Sequence, residues 1–118
     1  MTGYKIIGVN EEHVILAPGE FYLLGKYDDP YDNGGVYGIR TTFAFGLSNI
    51  ADTIILQDEF GIDKDRVNYN EDALWPSCFG ASLSRITSDL NRSNDITNWH
   101  CATTSYGDGD RGTPGEEN

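Results

Sequence analysis

Five aspartates are the side chains in this sequence best suited to chemistry. Asp28, Asp29 and Asp32 fall in one stretch that runs into Gly34 and Gly35, and Asp108 and Asp110 alternate with Gly107 and Gly109. Calcium takes six to eight oxygen ligands, and alternating Asp in Gly-rich loops is suitable ligand chemistry, although neither cluster has the spacing of an EF-hand loop. The same residues also serve as ordinary turn formers. Tyr27, Tyr31 and Tyr37 sit in the same stretch as the first cluster and offer an aromatic platform for sugar or peptide. Asp63 and Asp65 share a strand face, but paired carboxylates need a pocket before they can do general acid–base work. His13 and His100 are isolated, and zinc needs three or four converging ligands. No Cys-x-x-Cys, His-Glu-x-x-His or Gly-x-Ser-x-Gly pattern occurs. We therefore expect no catalytic residues and no obligatory cofactor, with calcium as the one candidate ion.

The bulk properties narrow the field. A chain of 118 residues is the size of one domain. A net charge of −11 argues against direct nucleic-acid binding, which needs clustered Lys and Arg. It favours solubility, cation binding or a basic partner. No apolar run approaches the roughly 20 residues that span a bilayer. The first residues lack the charged and apolar regions of a signal peptide. Asn91-Arg92-Ser93 is a glycosylation sequon, relevant to an exported eukaryotic chain.

The elements that would position these residues are strands. Phe43, Phe45 and Leu47 alternate, as do Ile54 with Leu56 and Val67 with Tyr69. Asp58-Glu59-Phe60-Gly61 between the last two runs predicts a hairpin turn, with Gly61 at positive φ. Tyr4 to Val9, His13 to Leu16, Glu20 to Gly25, Gly80 to Thr87 and Asn98 to Thr104 read as further strands. Glu20 to Gly25 is apolar on both faces and predicts a central position. Lys26 to Thr41 is a long loop, of the kind that is often functional. Ser88 to Thr97 is polar and loop-like, and residues 105–118 predict an irregular tail. Fourteen glycines among many Asp and Asn fit a turn-rich all-β domain.

The same residues carry a family resemblance. Phe45-Gly46-Leu47-Ser48-Asn49 followed by Asp52-Thr53-Ile54 resembles the central turn of the lamin tail domain. Gly61, Asp65, Val67 and Tyr69 continue the pattern, as do Trp75-Pro76, Gly80-Ala81-Ser82-Leu83, Asn98-Trp99, Gly112-Thr113-Pro114-Gly115 and Asn118. Upstream, Leu16-Ala17-Pro18-Gly19-Glu20-Phe21-Tyr22 resembles the strand before the family's long loop. The likeness covers nearly the whole chain and is closer to the bacterial extracellular members than to nuclear lamins. It implies an immunoglobulin-like β-sandwich across a single domain, 1–118. It implies a non-catalytic interaction or targeting module, an accessory domain of a secreted or cell-surface protein that binds a protein or surface partner. A calcium-dependent carbohydrate- or ligand-binding β-sandwich module is the alternative. Coiled-coil heptads are absent, so a filament role finds no support. The family's first two strands have no counterpart before Tyr4, so the chain reads as N-terminally truncated with an exposed sheet edge; it would then dimerise through that edge, cover it with the long loop, or be only marginally stable. In exported members of this kind an even cysteine count reads as a disulfide between Cys78 and Cys101; two free buried thiols remain the alternative. Trp75 and Trp99 match family positions that supply core area.

Overall fold

Eight short strands and three single 3₁₀ turns account for the regular structure of residues 16–118, which are the residues that the computed structural model describes. The strands are β1 (Leu24–Gly25), β2 (Thr41–Thr42), β3 (Ala51–Gln57), β4 (Asp63–Asn70), β5 (Leu83–Arg85), β6 (Trp99–Cys101), β7 (Ser105–Tyr106) and β8 (Asp110–Arg111). They pair as four two-stranded sheets, β1–β2 parallel and the other three antiparallel. The domain is all-β. The expected strands at Tyr4–Val9 and His13–Leu16 lie outside the described residues apart from Leu16, as does the sheet edge expected there.

The β3–β4 hairpin follows from its sequence. Ile54 faces Val67 and Asp52 faces Tyr69, so the apolar alternation of the two runs falls in register, with a bulge between Leu56 and Gln57. Asp58 builds the turn almost alone. Its N–H donates to the Ile62 carbonyl at 3.0 Å, its carbonyl accepts from Gly61 at 3.1 Å, and its Oδ1 accepts from the N–H groups of Phe60 and Ile62 at 2.9 and 3.0 Å. The Ile62 N–H is the main influence holding the Asp58 carboxyl below the usual range; burial opposes it, and Phe60 and Lys64 reinforce it. Gly61 takes φ 76°, as the turn requires. Upstream, Phe43 and Phe45 stack at 4.6 Å, which places alternate residues of that extended run on one face.

Three expectations change. Leu24–Gly25 is the paired part of Glu20 to Gly25, its partner is β2, and Phe21 is 50% and Leu24 44% exposed, so this segment is not central among the described residues. Residues 105–118 are not wholly irregular, because β7 and β8 form a hairpin about Gly107 and Gly109. The loop Ser88 to Thr97 winds through two 3₁₀ turns, Leu90–Arg92 and Ile96–Asn98, whose N-caps Asp89 and Asp95 accept from the N–H groups of Asn91 and Thr97 at 3.0 Å each.

The smaller sheets are stitched together by backbone bonds. Ser82 N–H donates to the Arg111 carbonyl at 2.8 Å, and Ala102 N–H donates to the Ser82 carbonyl at 2.9 Å. The stretch before β5 therefore runs between β6 and β8. The long loop docks on the β7–β8 turn through glycines: the Asp108 N–H donates to the Gly34 carbonyl at 2.9 Å, and a Cβ on Gly35 would lie 2.8 Å from the Gly107 Cα.

Little apolar area is sealed. Among the described residues the buried apolar side chains are Trp75 and Ala102, whereas Asp52, Thr53, Ser84, Ser93 and Asn98 are buried polar ones. Trp75 meets Trp99 at 5.8 Å between ring centroids. The Cys78–Cys101 disulfide, with Cα atoms 5.5 Å apart, pins the loop carrying Trp75 to the strand carrying Trp99. Cross-linking across a separation of 23 residues stabilises by roughly 3 kcal/mol in chain-entropy terms. We expect the Cys78→Ala/Cys101→Ala variant to lose about that much in a urea unfolding experiment, with most of the loss reproduced by reductant on the natural chain.

Candidate functional site

The face built by the long loop gathers most of the residues singled out from the sequence. Its local shape comes from side-chain-to-backbone bonds. Asp29 Oδ1 accepts from the Tyr31 N–H at 2.9 Å, and the Asp29 carbonyl accepts from Asp32 and Asn33 at 2.9 and 3.1 Å. Asn33 then ties both ends of the turn. Its Nδ2 donates to the carbonyls of Tyr27 and Val36 at 3.1 and 3.0 Å, and its Oδ1 accepts from the Val36 N–H at 2.8 Å. Behind this loop lies a cleft of about 360 Å³ lined by Leu23, Leu24, Gly25, Lys26, Tyr27, Asn33, Val36, Ile39, Tyr106 and Pro114. Burial, with Asp110 adding to it, pushes the Tyr106 phenol upward.

Two of the five aspartates in the acidic loops have structural neighbours. Asp29 shapes its turn. The Asp110 carboxylate lies between Gly34 and Gly80, about 3.5 and 3.6 Å from where Cβ atoms would stand. Asp28, Asp32 and Asp108 are exposed. Among the described residues no three His, Cys, Asp or Glu side chains are grouped to hold a metal ion. The calcium-dependent reading therefore rests on composition and loop type. Tyr27, Tyr31 and Tyr37 are exposed at 52%, 98% and 78%, yet among the described residues they make no ring–ring contact.

Asp63 and Asp65, weighed as an acid–base pair, go to different partners. Asp63 accepts from Gln57 at 2.8 Å and from Arg66 at 2.8 Å. Asp65 accepts from the Arg85 guanidinium at 2.8 Å and from the Ser93 hydroxyl. Hydrogen bonds from Gln57 and Arg66 lower the Asp63 carboxyl. For Asp65 burial works against ionisation, but Ser93 and Arg85 outweigh it and hold the carboxyl below the usual range. A general acid needs the opposite shift. His100 is exposed, and Cys101 is in the disulfide, so no Cys–His nucleophile is formed.

No family model matches the chain, and neither does any curated protein or solved structure. Function must be read from the geometry.

Two features escape sequence reasoning. The first is a polar lock around Arg85. Its Nε donates to the Thr87 carbonyl at 2.8 Å, its Nη2 to the Asp89 carbonyl at 2.9 Å and Ser93 Oγ at 2.8 Å, and its guanidinium lies 5.5 Å from the centroid of the Trp99 ring. Beside it Asn98 is fully buried. Its amide bonds the Thr87 N–H, hydroxyl and carbonyl and the Arg92 carbonyl, which fills its capacity. The second is Leu74, at φ 69° in the left-handed region and 81% exposed. Phe79, 86% exposed, follows Cys78 in the same loop. Composition gives no warning of Leu74, since Gly or Asn is the usual occupant of such a position.

Asp65→Asn leaves the Arg85 guanidinium without its counter-charge in a site where both side chains are four-fifths covered. We expect a loss of about 2 kcal/mol, below the cost of breaking a fully buried pair because Arg85 keeps its other acceptors. Because the folded-state value is depressed, the Asp65 contribution is complete above the ordinary carboxylate range and fades as pH falls through the folded value. The variant should therefore unfold with a shallower acid limb than the natural chain in pH-dependent melts. An acid limb of unchanged slope would show that the carboxylate is not held by this network.

Proposed function

We propose that this domain is a non-catalytic interaction module, an immunoglobulin-like sandwich of the lamin tail type that serves as an accessory part of a secreted or cell-surface protein. The observation that carries the reading is Leu74. A non-glycine residue in the left-handed region costs about 1–2 kcal/mol, and here that cost displays an apolar side chain to solvent. Leu74 is the left-handed C-cap of the 3₁₀ turn Glu71–Ala73, where Gly is the usual occupant, so a large exposed apolar side chain there favours a contact role. The loop is held rigid for the purpose. Leu74 N–H donates to the Glu71 carbonyl at 3.3 Å, Trp75 packs against Trp99, and Cys78 is bridged to β6. Phe79 stands at its far end, so two large apolar groups project from one pinned segment. Such display on a pre-ordered loop reduces the ordering cost of association.

Other features support the reading. Many residues that carry the family resemblance are those that interlock the fold. Ser48 Oγ accepts from Ile50 and Ala51, Asp52 accepts from the Ser48 N–H, and the Tyr69 hydroxyl donates to the Ser48 carbonyl. Asn118 donates to the Arg85 carbonyl at 2.8 Å and accepts from Thr113, closing the C-terminus onto β5. A stable disulfide fits an oxidising compartment. Among the described residues no helix is long and apolar enough to cross a membrane.

The test is a split between stability and binding. Leu74→Gly removes the strain and the side chain together. It should unfold at a higher midpoint than the natural chain, by roughly 1 kcal/mol, while losing capture of ligands on arrays of extended peptides and surface polysaccharides. Phe79→Ser should lose the same captures at unchanged stability. Peptide capture supports the module reading, and polysaccharide capture that requires calcium supports the alternative. If both variants bind as the natural chain does, the Leu74 loop is not the contact surface.

A further inference from the structure

The basic side chains point to a second site. The chain is strongly acidic, and among the described residues nearly all of the bases are used internally. Arg40, Lys64, Arg66, Arg85 and Arg92 each face a carboxylate, at distances from 2.8 to 3.8 Å. Arg111 donates to the Phe79 carbonyl at 2.9 Å. Among the described residues Lys26 is the base left without a carboxylate or carbonyl partner, its ammonium lying 5.8 Å from the Tyr27 ring centroid. It stands on the wall of the cleft beside β1, whose other walls are largely apolar, formed by Leu23, Leu24, Val36, Ile39 and Pro114.

The cleft is pre-shaped. Asn33 fixes the backbone at Tyr27 and Val36, so two wall residues are held by one amide. Leu23 is seated between Gly38 and Gly115, 3.9 and 3.3 Å from where their Cβ atoms would be, and both glycines have positive φ. The cleft, about 360 Å³ and open to solvent, has room for one small ligand. A largely apolar lining with one lysine on its wall favours an apolar body that carries a single negative charge.

We propose that this cleft binds a small monocarboxylate with an aliphatic body, the carboxylate at Lys26 and the body against Leu23, Leu24, Val36 and Ile39. The site goes beyond the interaction reading and uses none of the residues that carry it, so either can fail alone. Methyl-resolved NMR titration of the natural chain with octanoate, octylamine and octanol tests the proposal. Octanoate should shift the methyl resonances of Leu23, Leu24, Val36 and Ile39 saturably, with the amine and the alcohol binding at least about tenfold more weakly, the size of one charge-assisted hydrogen bond. Lys26→Met should bring octanoate to the level of octanol, and Lys26→Arg should retain most of the preference. Absence of saturable shifts at these methyls, an equal response to octylamine, or a carboxylate preference that survives Lys26→Met would each overturn it. Lys26 is exposed, so both variants should fold, and the three-ligand comparison on the natural chain decides the matter even without them.

Discussion

The Arg85 guanidinium is the contact on which the arrangement of this domain depends. It belongs to β5, yet its partners lie on β4, at the two ends of the 3₁₀ turn Leu90–Arg92 and on β6: Asp65, Asp89, Ser93 and the Trp99 ring. The four sheets have two strands each, and two-stranded sheets are marginal on their own. Burying a large apolar side chain contributes about 1.5–3 kcal/mol, and Trp75 is the large one buried among the described residues. A disulfide worth roughly 3 kcal/mol and a charge-assisted network of similar size are therefore not ornaments on an apolar core. They carry a comparable share of the load. The polar lock tolerates this role because its members are satisfied: no buried side-chain nitrogen or oxygen among the described residues lacks a partner.

The parts legible in the sequence are those with a local period or a local rule. Ile54, Leu56, Val67 and Tyr69 announced the β3–β4 hairpin, and Asp58 with Gly61 announced its turn, because alternation and turn chemistry act over a few residues. The cysteine pair and the two tryptophans were legible through residue type. Among the described residues Glu20 to Gly25 does not take the central position expected of it. Apolar side chains on both faces permit burial without supplying the neighbours that produce it, and among the described residues this strand has β2 alone. Ser93 and Asn98 were invisible as members of a lock. Their bonds to Asp65, Arg85 and Thr87 span gaps that no periodicity encodes. Leu74 was invisible because it breaks a rule, and strained positions are where rule-based reading is expected to fail.

The acidic composition also takes on a different meaning once the turns are seen. Asp29, Asp58, Asp89 and Asp95 each accept backbone N–H groups at the start of a turn. Strands of two or three residues cannot define their own ends through long ladders, so the connections must define themselves. A carboxylate does this better than a neutral amide, because it accepts from two directions and its bonds are charge-assisted. Repeating that device at turn after turn drives the net charge down as a by-product of fold specification, without any call on an anionic binding surface. The bases then settle on the carboxylates that the turns expose: Lys64 on Asp58 and Arg92 on Asp95. Against that pattern the position of Lys26 stands out, since among the described residues the other bases each face a carboxylate or a carbonyl.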